Sequence, residues 1–323
     1  MTNKFASFST IFKKVDGIKV LKQYFKSRVL LFAIFQTLTQ GTSKKSLEIV
    51  RNSVDNKILS KLRKKYKNSI LKFKDEFVDL EKNEGNYKNV VWIFWLQGLD
   101  SAPPIVKLCI KSVKENVGCR NVIILSESNL ADYITFPKYI QDKIDKGIIT
   151  KTHMSDLLRL ELLNTYGGTW VDATVFFSGA NIPDYMFNSE LFMFQKLKPG
   201  LDGHPKAISS WFITSKPNNP ILVLSQKLLY DYWKSHDFMI DYFLLHDFIQ
   251  LSIEAYPEIW NKVVPFSSST PHMLLLRLFN EYVDEIWSGI SEQVSIHKLS
   301  YKFDEEDFDK SGTFYKKVVK KGT

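Results

Sequence analysis

Residues 155–175 read SDLLRLELLNTYGGTWVDATV, and within this stretch the chain changes from one periodicity to another. Leu158 and Leu162 recur at helical spacing, Ser155 can cap, and the Gly167-Gly168 pair supplies a stop, so a helix is expected over Asp156–Thr165. From Thr169 to Phe177 the pattern becomes strand-like, with Trp170, Asp172 and Thr174 on one face and Val171, Ala173 and Val175 on the other. Asp156 and Arg159 are three apart and share a helix face. A carboxylate such as Asp172 in apolar company has to be paired or to hold a cation. A plain helix ion pair and a strand Asp satisfied by backbone donors would give the same pattern.

The surrounding sequence alternates in the same way. VVWIFWL (90–96) reads as a buried strand, Pro103–Asn116 as a helix with Val106, Ile110 and Val113 inward, and NVIILS (121–126) as a second strand. Strand, helix, strand of this length is a βαβ unit and predicts a parallel sheet in an α/β fold. A short helix is expected over Phe136–Lys146, between Pro137 and Gly147. In open α/β sheets ligands bind beyond the carboxyl ends of the strands, so polar residues emerging there carry functional weight. Further polar breaks in apolar surroundings are Ser209-Ser210-Trp211, His246-Asp247 and SIHKLSYK (295–302). In the last, alternation sets His297 and Leu299 on one face and Lys298, Ser300 and Lys302 on the other.

The chain has 323 residues and a net charge of +9, and its excess positive charge is confined to one end. Residues 1–90 hold 20 Lys and Arg against 8 Asp and Glu, whereas the remainder is slightly acidic. This first quarter has no Pro and reads as helical: Ile18, Leu21, Phe25, Val29 and Phe32 recur on one side of 18–38, and a second helix is expected over Ser46–Leu80 with the cluster Lys61, Arg63, Lys64, Lys65, Lys67. A basic amphipathic helix suits an anionic membrane surface, and a solvated basic face would look the same. Nucleic acid is not an expected partner, because neither an aromatic RNP pattern nor zinc-ligand spacing is present. Glu81–Asn89 reads as a linker, giving an expected division into a basic helical region (1–88) and a catalytic region (89–323).

No apolar run reaches the roughly 20 residues of a membrane-spanning helix. The N-terminus lacks a secretory pattern, so the expected location is cytoplasmic. Two cysteines, Cys109 and Cys119, give no disulfide framework and no cysteine metal site.

The segments WLQGLDSAPPIVKLCIKSV (95–113), SDLLR (155–159), YGGTWVDATV (166–175) and DYFLLHDF (241–248) together resemble the capsular polysaccharide synthesis glycosyltransferases. These are bacterial relatives of the DxD sugar transferases that include the large clostridial glucosylating toxins. The resemblance runs over about residues 90–302. It implies a GT-A, Rossmann-like nucleotide-sugar-binding domain, here with an N-terminal basic helical extension, a UDP-sugar donor, a divalent metal (Mn²⁺ or Mg²⁺) and retention of anomeric configuration. By the same resemblance Trp95 stacks on uracil, Asp156 and Arg159 hold donor-sugar hydroxyls, and Asp172 is the first DxD acid, meeting ribose and metal. Gln97, Ser155 and Trp170 flank these positions and complete the expected nucleotide site.

The second DxD acid is Thr174 here, and a hydroxyl is a poor metal ligand. Either Asp172, the donor's diphosphate and a later residue hold the metal, with His297 the candidate, or basic side chains such as Lys302 neutralise the leaving diphosphate. Asp247 is the candidate for facing the sugar or acceptor. The expected activity is transfer of a hexose, galactose rather than glucose, to an undecaprenyl-diphosphate-linked saccharide at the inner face of the membrane. A saccharide-binding module that has lost its metal site is the rival reading.

Overall fold

The computed structural model describes residues 17–77, 87–197 and 204–320; residues 1–16 and most of the expected linker, 81–86, lie outside them. Three helices come first: α1 (Gly17–Lys26), α2 (Leu30–Gln40) and α3 (Lys44–Glu76). The single helix expected over 18–38 is broken. Arg28 sits in the left-handed region at φ 55°, Lys61 Nζ donates to the Ser27 carbonyl at 2.5 Å, and Ser27 Oγ donates to the Ile240 carbonyl at 3.1 Å. The Ser27 carbonyl and hydroxyl are thus tied to partners outside the segment at the break.

The remaining elements alternate. They are β1 (Val90–Phe94), α4 (Pro104–Asn116), β2 (Asn121–Leu125), α5 (Lys138–Asp145), α6 (Lys151–Thr165), β3 (Gly168–Val171), β4 (Val175–Phe177), α7 (Tyr185–Asn188), β5 (Leu191–Gln195), β6 (Ile208–Ser215), α8 (Pro220–Ser235) and α9 (Leu244–Ala255), followed by short helices and β7 (Ile296–Lys298). The five-stranded sheet has the order β2-β1-β3-β6-β5. β1 pairs parallel with both β2 and β3, as the βαβ reading requires, while β6 runs antiparallel to β3 and β5. The α/β expectation holds.

Both faces of the sheet are covered, which is why β1 reads as a continuous apolar run rather than an alternating one. Trp92 and Phe94 join a core with α3, α6, α8 and α9, and Val91 and Ile93 join a second core with α4 and β4. The basic region is built into the first of these. Val50, Val54, Ile58, Leu62 and Tyr66 form the buried stripe of α3, and Tyr66 meets Phe248 of α9 edge-on at 5.2 Å. Arg63 forks onto Glu254 with bonds of 2.8 and 2.7 Å, and Lys74 Nζ donates to the Ala255 carbonyl at 2.7 Å. One apolar core therefore runs across the division expected at residue 88. Several lysines and arginines of α3 face their own chain.

Two local differences matter for the site. Helix α6 starts at Lys151, capped by Thr150, whose Oγ1 accepts from the His153 amide at 3.2 Å, so Ser155 lies inside the helix rather than at its cap. The strand expected over Thr169–Phe177 is two strands. The Asp172 amide makes a last bond to the Trp211 carbonyl at 2.9 Å, Asp172–Thr174 turn, with the Val175 amide on the Asp172 carbonyl at 2.9 Å, and β4 leaves to pair antiparallel with β7. Two-residue periodicity survives a tight turn, so the pattern alone did not reveal the break.

Candidate functional site

Parallel pairing puts the carboxyl ends of β1 and β3 at one edge of the sheet, with Trp95 directly after one and Asp172 directly after the other. β1 ends two residues before the run VVWIFWL does, and Gly98 turns the chain beyond it at φ 82°.

Arg159 is the hub. Its guanidinium is buried and splits its donors: Nη1 to the Ser210 carbonyl at 2.5 Å and Oγ at 2.8 Å, Nε to the Ser155 carbonyl at 3.3 Å, and Nη2 to Ser155 Oγ at 3.4 Å. Nη2 also lies 3.3 Å from Asp156 Oδ1 and 3.6 Å from Asp172 Oδ1, and the cation sits 4.9 Å over the Trp170 ring. Arginine's planar fork suits this many partners at once, and a lysine's single point charge does not.

Asp156 is placed by a second contact. Trp233 Nε1 donates to His153 Nε2 at 3.0 Å, and an indole N–H is donor only, so His153 Nδ1 carries the proton and donates to Asp156 Oδ2 at 3.1 Å. Burial by itself raises the Asp156 carboxyl, but Arg159 and the His153 bond outweigh it and hold the group below its ordinary value. Asp172 Oδ1 accepts from Trp170 Nε1 at 2.9 Å, confirming that these two side chains meet.

On the other side of Asp172 stands Lys298. Its Nζ is 3.4 Å from Asp172 Oδ2 and donates to Thr174 Oγ1 at 2.5 Å. The β4–β7 register pairs Val175 with Lys298, so the same break that ends β3 brings this ammonium beside the turn. Two carboxylates and two cations thus face one edge of the sheet.

The sequence-derived candidates separate into three groups. Asp156, Arg159, Asp172, Ser155 and Trp170 come together. Trp95 is half-buried with its indole N–H unpartnered among the described residues, and it packs edge-on against Tyr301 at 5.3 Å. Gln97 is exposed in the following turn, and Lys302 is exposed over the Tyr301 ring at 5.8 Å, on the Trp95 side.

His297 and Asp247 stand elsewhere. His297 is fully buried between Phe176 and Trp287, bonded through Nε2 to Ser178 Oγ at 2.9 Å, and burial pushes its imidazole down to about 3. The strand in SIHKLSYK covers only Ile296–Lys298, and within it the side opposite His297, with Lys298, meets Asp172. Asp247 is fully buried 3.5 Å from Lys206, a lysine that also holds Asp241 at 2.5 Å and Asp55 of α3 at 3.4 Å. Burial, then Asp241, hold its carboxyl well above the usual carboxylate range. Its neighbour His246 is the one that feels the field of Asp156 and Arg159, and it leaves Nδ1 buried and unpartnered among the described residues.

One prediction follows from this placement. Asp247→Asn removes one of three carboxylates around a single ammonium, so stability should stay within about 1 kcal/mol of wild type or rise. Nucleotide affinity should change less than about twofold, because the substitution leaves Arg159 and Asp172 untouched. Urea denaturation and UDP titration of the variant check both. A tenfold loss of affinity would return Asp247 to the site.

The expected metal site at Asp172 and His297 does not assemble. His297 is buried in the core, and the group beside the Asp172 carboxylate and the Thr174 hydroxyl is the Lys298 ammonium, 3.4 Å from Asp172 Oδ2. Among the described residues no group of three His, Cys, Asp or Glu side chains is placed to hold one.

A family described as capsular polysaccharide synthesis protein matches residues 39–318. The O-glycosyltransferase braB of Annulohypoxylon truncatum is 27% identical over 150 residues, which are 41% of this chain and 34% of that protein. The chain therefore spans about a third of the length of this curated relative. Among solved structures, the PaToxG glycosyltransferase is similar over 66% of this chain and 84% of its own, at 16% identity and a TM-score of 0.36. A glycosyltransferase involved in the glycosylation of the major capsid of PBCV-1 is similar over 68% and 97%, at 10% identity and a TM-score of 0.33. With a match over 39–318 of its 323 residues, the chain belongs to the capsular polysaccharide synthesis family.

Proposed function

We propose that the protein is a glycosyltransferase that moves a hexose from a UDP-sugar to a saccharide acceptor in capsule assembly, with retention of anomeric configuration. The observation that carries this reading is the group Asp156, Arg159, Asp172 and Lys298 at the carboxyl ends of β1 and β3, beside a tryptophan with an unpartnered indole N–H. Trp95 offers its ring to the uracil, Asp172 the ribose contact, and Asp156 with Arg159 the sugar hydroxyls, where charged hydrogen bonds orient a hexose. Gln97 and Lys302 border the Trp95 side, and Lys302 is a second cation within reach of a diphosphate there.

Departure of UDP leaves negative charge on the diphosphate. In this reading Lys298, assisted by Arg159, meets that charge; fixed cations aimed at a developing charge are worth several kcal/mol because they need no reorganisation. Thr174 supports it, since the place of the second DxD acid holds a hydroxyl that accepts from Lys298. The acceptor is a lipid-linked saccharide, undecaprenyl-diphosphate-borne, used at the inner face of the membrane by a peripheral cytoplasmic enzyme. Galactose is proposed over glucose as the donor sugar.

UDP titration calorimetry on the full chain tests this, in EDTA and again with Mn²⁺. The expected dissociation constant is on the order of 10–100 µM in both, weakening at least about tenfold in Asp172→Asn. No binding under either condition sinks the transferase reading. Binding that appears only with Mn²⁺ keeps the transferase and removes the role given to Lys298. UDP binding without any turnover of UDP-hexoses would favour the saccharide-binding module, the reading that Thr174 first motivated.

A further inference from the structure

Between Gly17 and Leu47 the chain contains Lys19, Lys22, Lys26, Arg28, Lys44 and Lys45 and not one acidic residue. The same segment turns apolar side chains outward. On α1 these are Ile18, Leu21 and Phe25, the last 71% exposed, with Lys22 and Lys26 on the adjoining strip of the same exposed face. On α2 they are Leu31, Ile34, Phe35 and Leu38, with Leu31 82% and Leu38 80% exposed, and α2 has no charged residue at all. These seven are among seventeen large apolar side chains exposed in the described residues, so this short segment holds a share far above its length. Scattered exposed leucines need no explanation, but a run of them along two successive helices does.

The opposite sides of these helices are accounted for. Ala33 and Val29 are buried in the core shared with α3, and Gln23 Nε2 donates to the Ile240 carbonyl at 3.1 Å. The outward sides are not needed to hold the fold together.

We propose that the outward faces of α1 and α2 dock the protein on an anionic lipid surface, with Leu31, Phe35 and Leu38 entering the acyl boundary and the flanking lysines meeting lipid phosphates. Charge selects this occupant. A second copy would bring the same net-positive rim, relieved at its edge only by Glu48, against itself, whereas a surface of lipid phosphates above an apolar interior complements both features at once. Much of the dense cluster of α3 is committed within the protein: Lys61 bonds to the Ser27 carbonyl, Arg63 to Glu254 and Lys65 to His236. No described helix is long and apolar enough to cross a membrane, so the contact is at the surface.

The inference deepens the lipid-linked acceptor reading above and rests on it for its purpose, but its test uses no sugar, so the two fail separately. Full-length protein is sedimented with vesicles of phosphatidylglycerol in phosphatidylcholine and with phosphatidylcholine alone. Wild type is expected to partition at least about tenfold better onto the anionic vesicles. The triple variant Leu31→Ser, Phe35→Ser, Leu38→Ser should lose at least about tenfold, while keeping wild-type UDP affinity, because exposed positions add little to stability. The pair Lys22→Gln, Lys44→Gln should bind the two vesicle types more nearly alike. Equal sedimentation of wild type and triple variant, or no sedimentation of wild type, overturns the proposal. So does light scattering that finds a wild-type dimer, converted to monomer by the triple variant, in protein that ignores vesicles.

Discussion

Lys298→Met is expected to lower turnover of UDP-hexose by roughly 10²–10³-fold, the usual effect of removing one fixed donor that meets charge developing in a transition state. Methionine keeps the length and most of the apolar stem, so the loss reports the ammonium. The fold should tolerate the change. Asp172 is 27% exposed at its side chain and keeps the Trp170 indole bond at 2.9 Å, so it is not left buried and unpaired. Stability by urea denaturation should therefore change by less than about 1 kcal/mol. UDP affinity should fall with turnover, since the same cation meets the diphosphate in the ground state, and the comparison of kcat with KM shows how much is specific to the transition state. Lys302→Met, which is exposed over Tyr301 and touches no carboxylate of the site, is the control, with an effect several-fold smaller. Wild-type turnover retained in EDTA and lost in Lys298→Met is the combination that supports the assignment; full activity in Lys298→Met refutes it.

The second large effect belongs to Arg159→Lys. The guanidinium bonds to Ser210 through two acceptors, reaches Asp156 and Asp172 and lies over Trp170, and a lysine can satisfy one or two of these. We expect kcat/KM to fall by about 10³-fold and stability by roughly 2–4 kcal/mol, because the Ser210 carbonyl and the carboxylates lose a buried partner. Both readouts are needed. A stable variant that has lost only activity would mean that Arg159 acts on the donor alone; a destabilised variant that still turns over would mean that it is scaffolding.

These two residues were not equally legible. Arg159 stood out because S-D-x-x-R ahead of Y-G-G-x-W-x-D is a specific combination, and three-residue spacing on a helix does put Asp156 and Arg159 together. Ser210 was visible as a polar break in apolar surroundings, though neither as part of β6 nor as the acceptor for Arg159. Lys298 was visible as one face of an alternating segment, but its meeting with Asp172, 126 positions earlier, depends on the pairing of β4 with β7. His153 carried no signal. In the sequence it lies ahead of the helix expected over Asp156–Thr165, and only the structure puts it in the first turn of α6 with Trp233, 80 residues away, fixing its tautomer.

Local pattern thus determined most elements of the α/β core, the parallel βαβ unit and the shared helix face of Asp156 and Arg159, because helix spacing, glycine stops and strand runs are properties of neighbours along the chain, while Asp172 joined them through the family resemblance. It also located the positive end of the molecule. Tertiary structure alone decided which charge goes with which. It sent Asp247 into a buried cluster with Lys206, turned His297 into the core, and set Lys298 rather than a carboxylate beside Asp172. It also turned part of α3's charge inward while leaving the apolar faces of α1 and α2 outside. The physical reason is the same each time: periodicity says which residues share a face, and only packing says what that face meets.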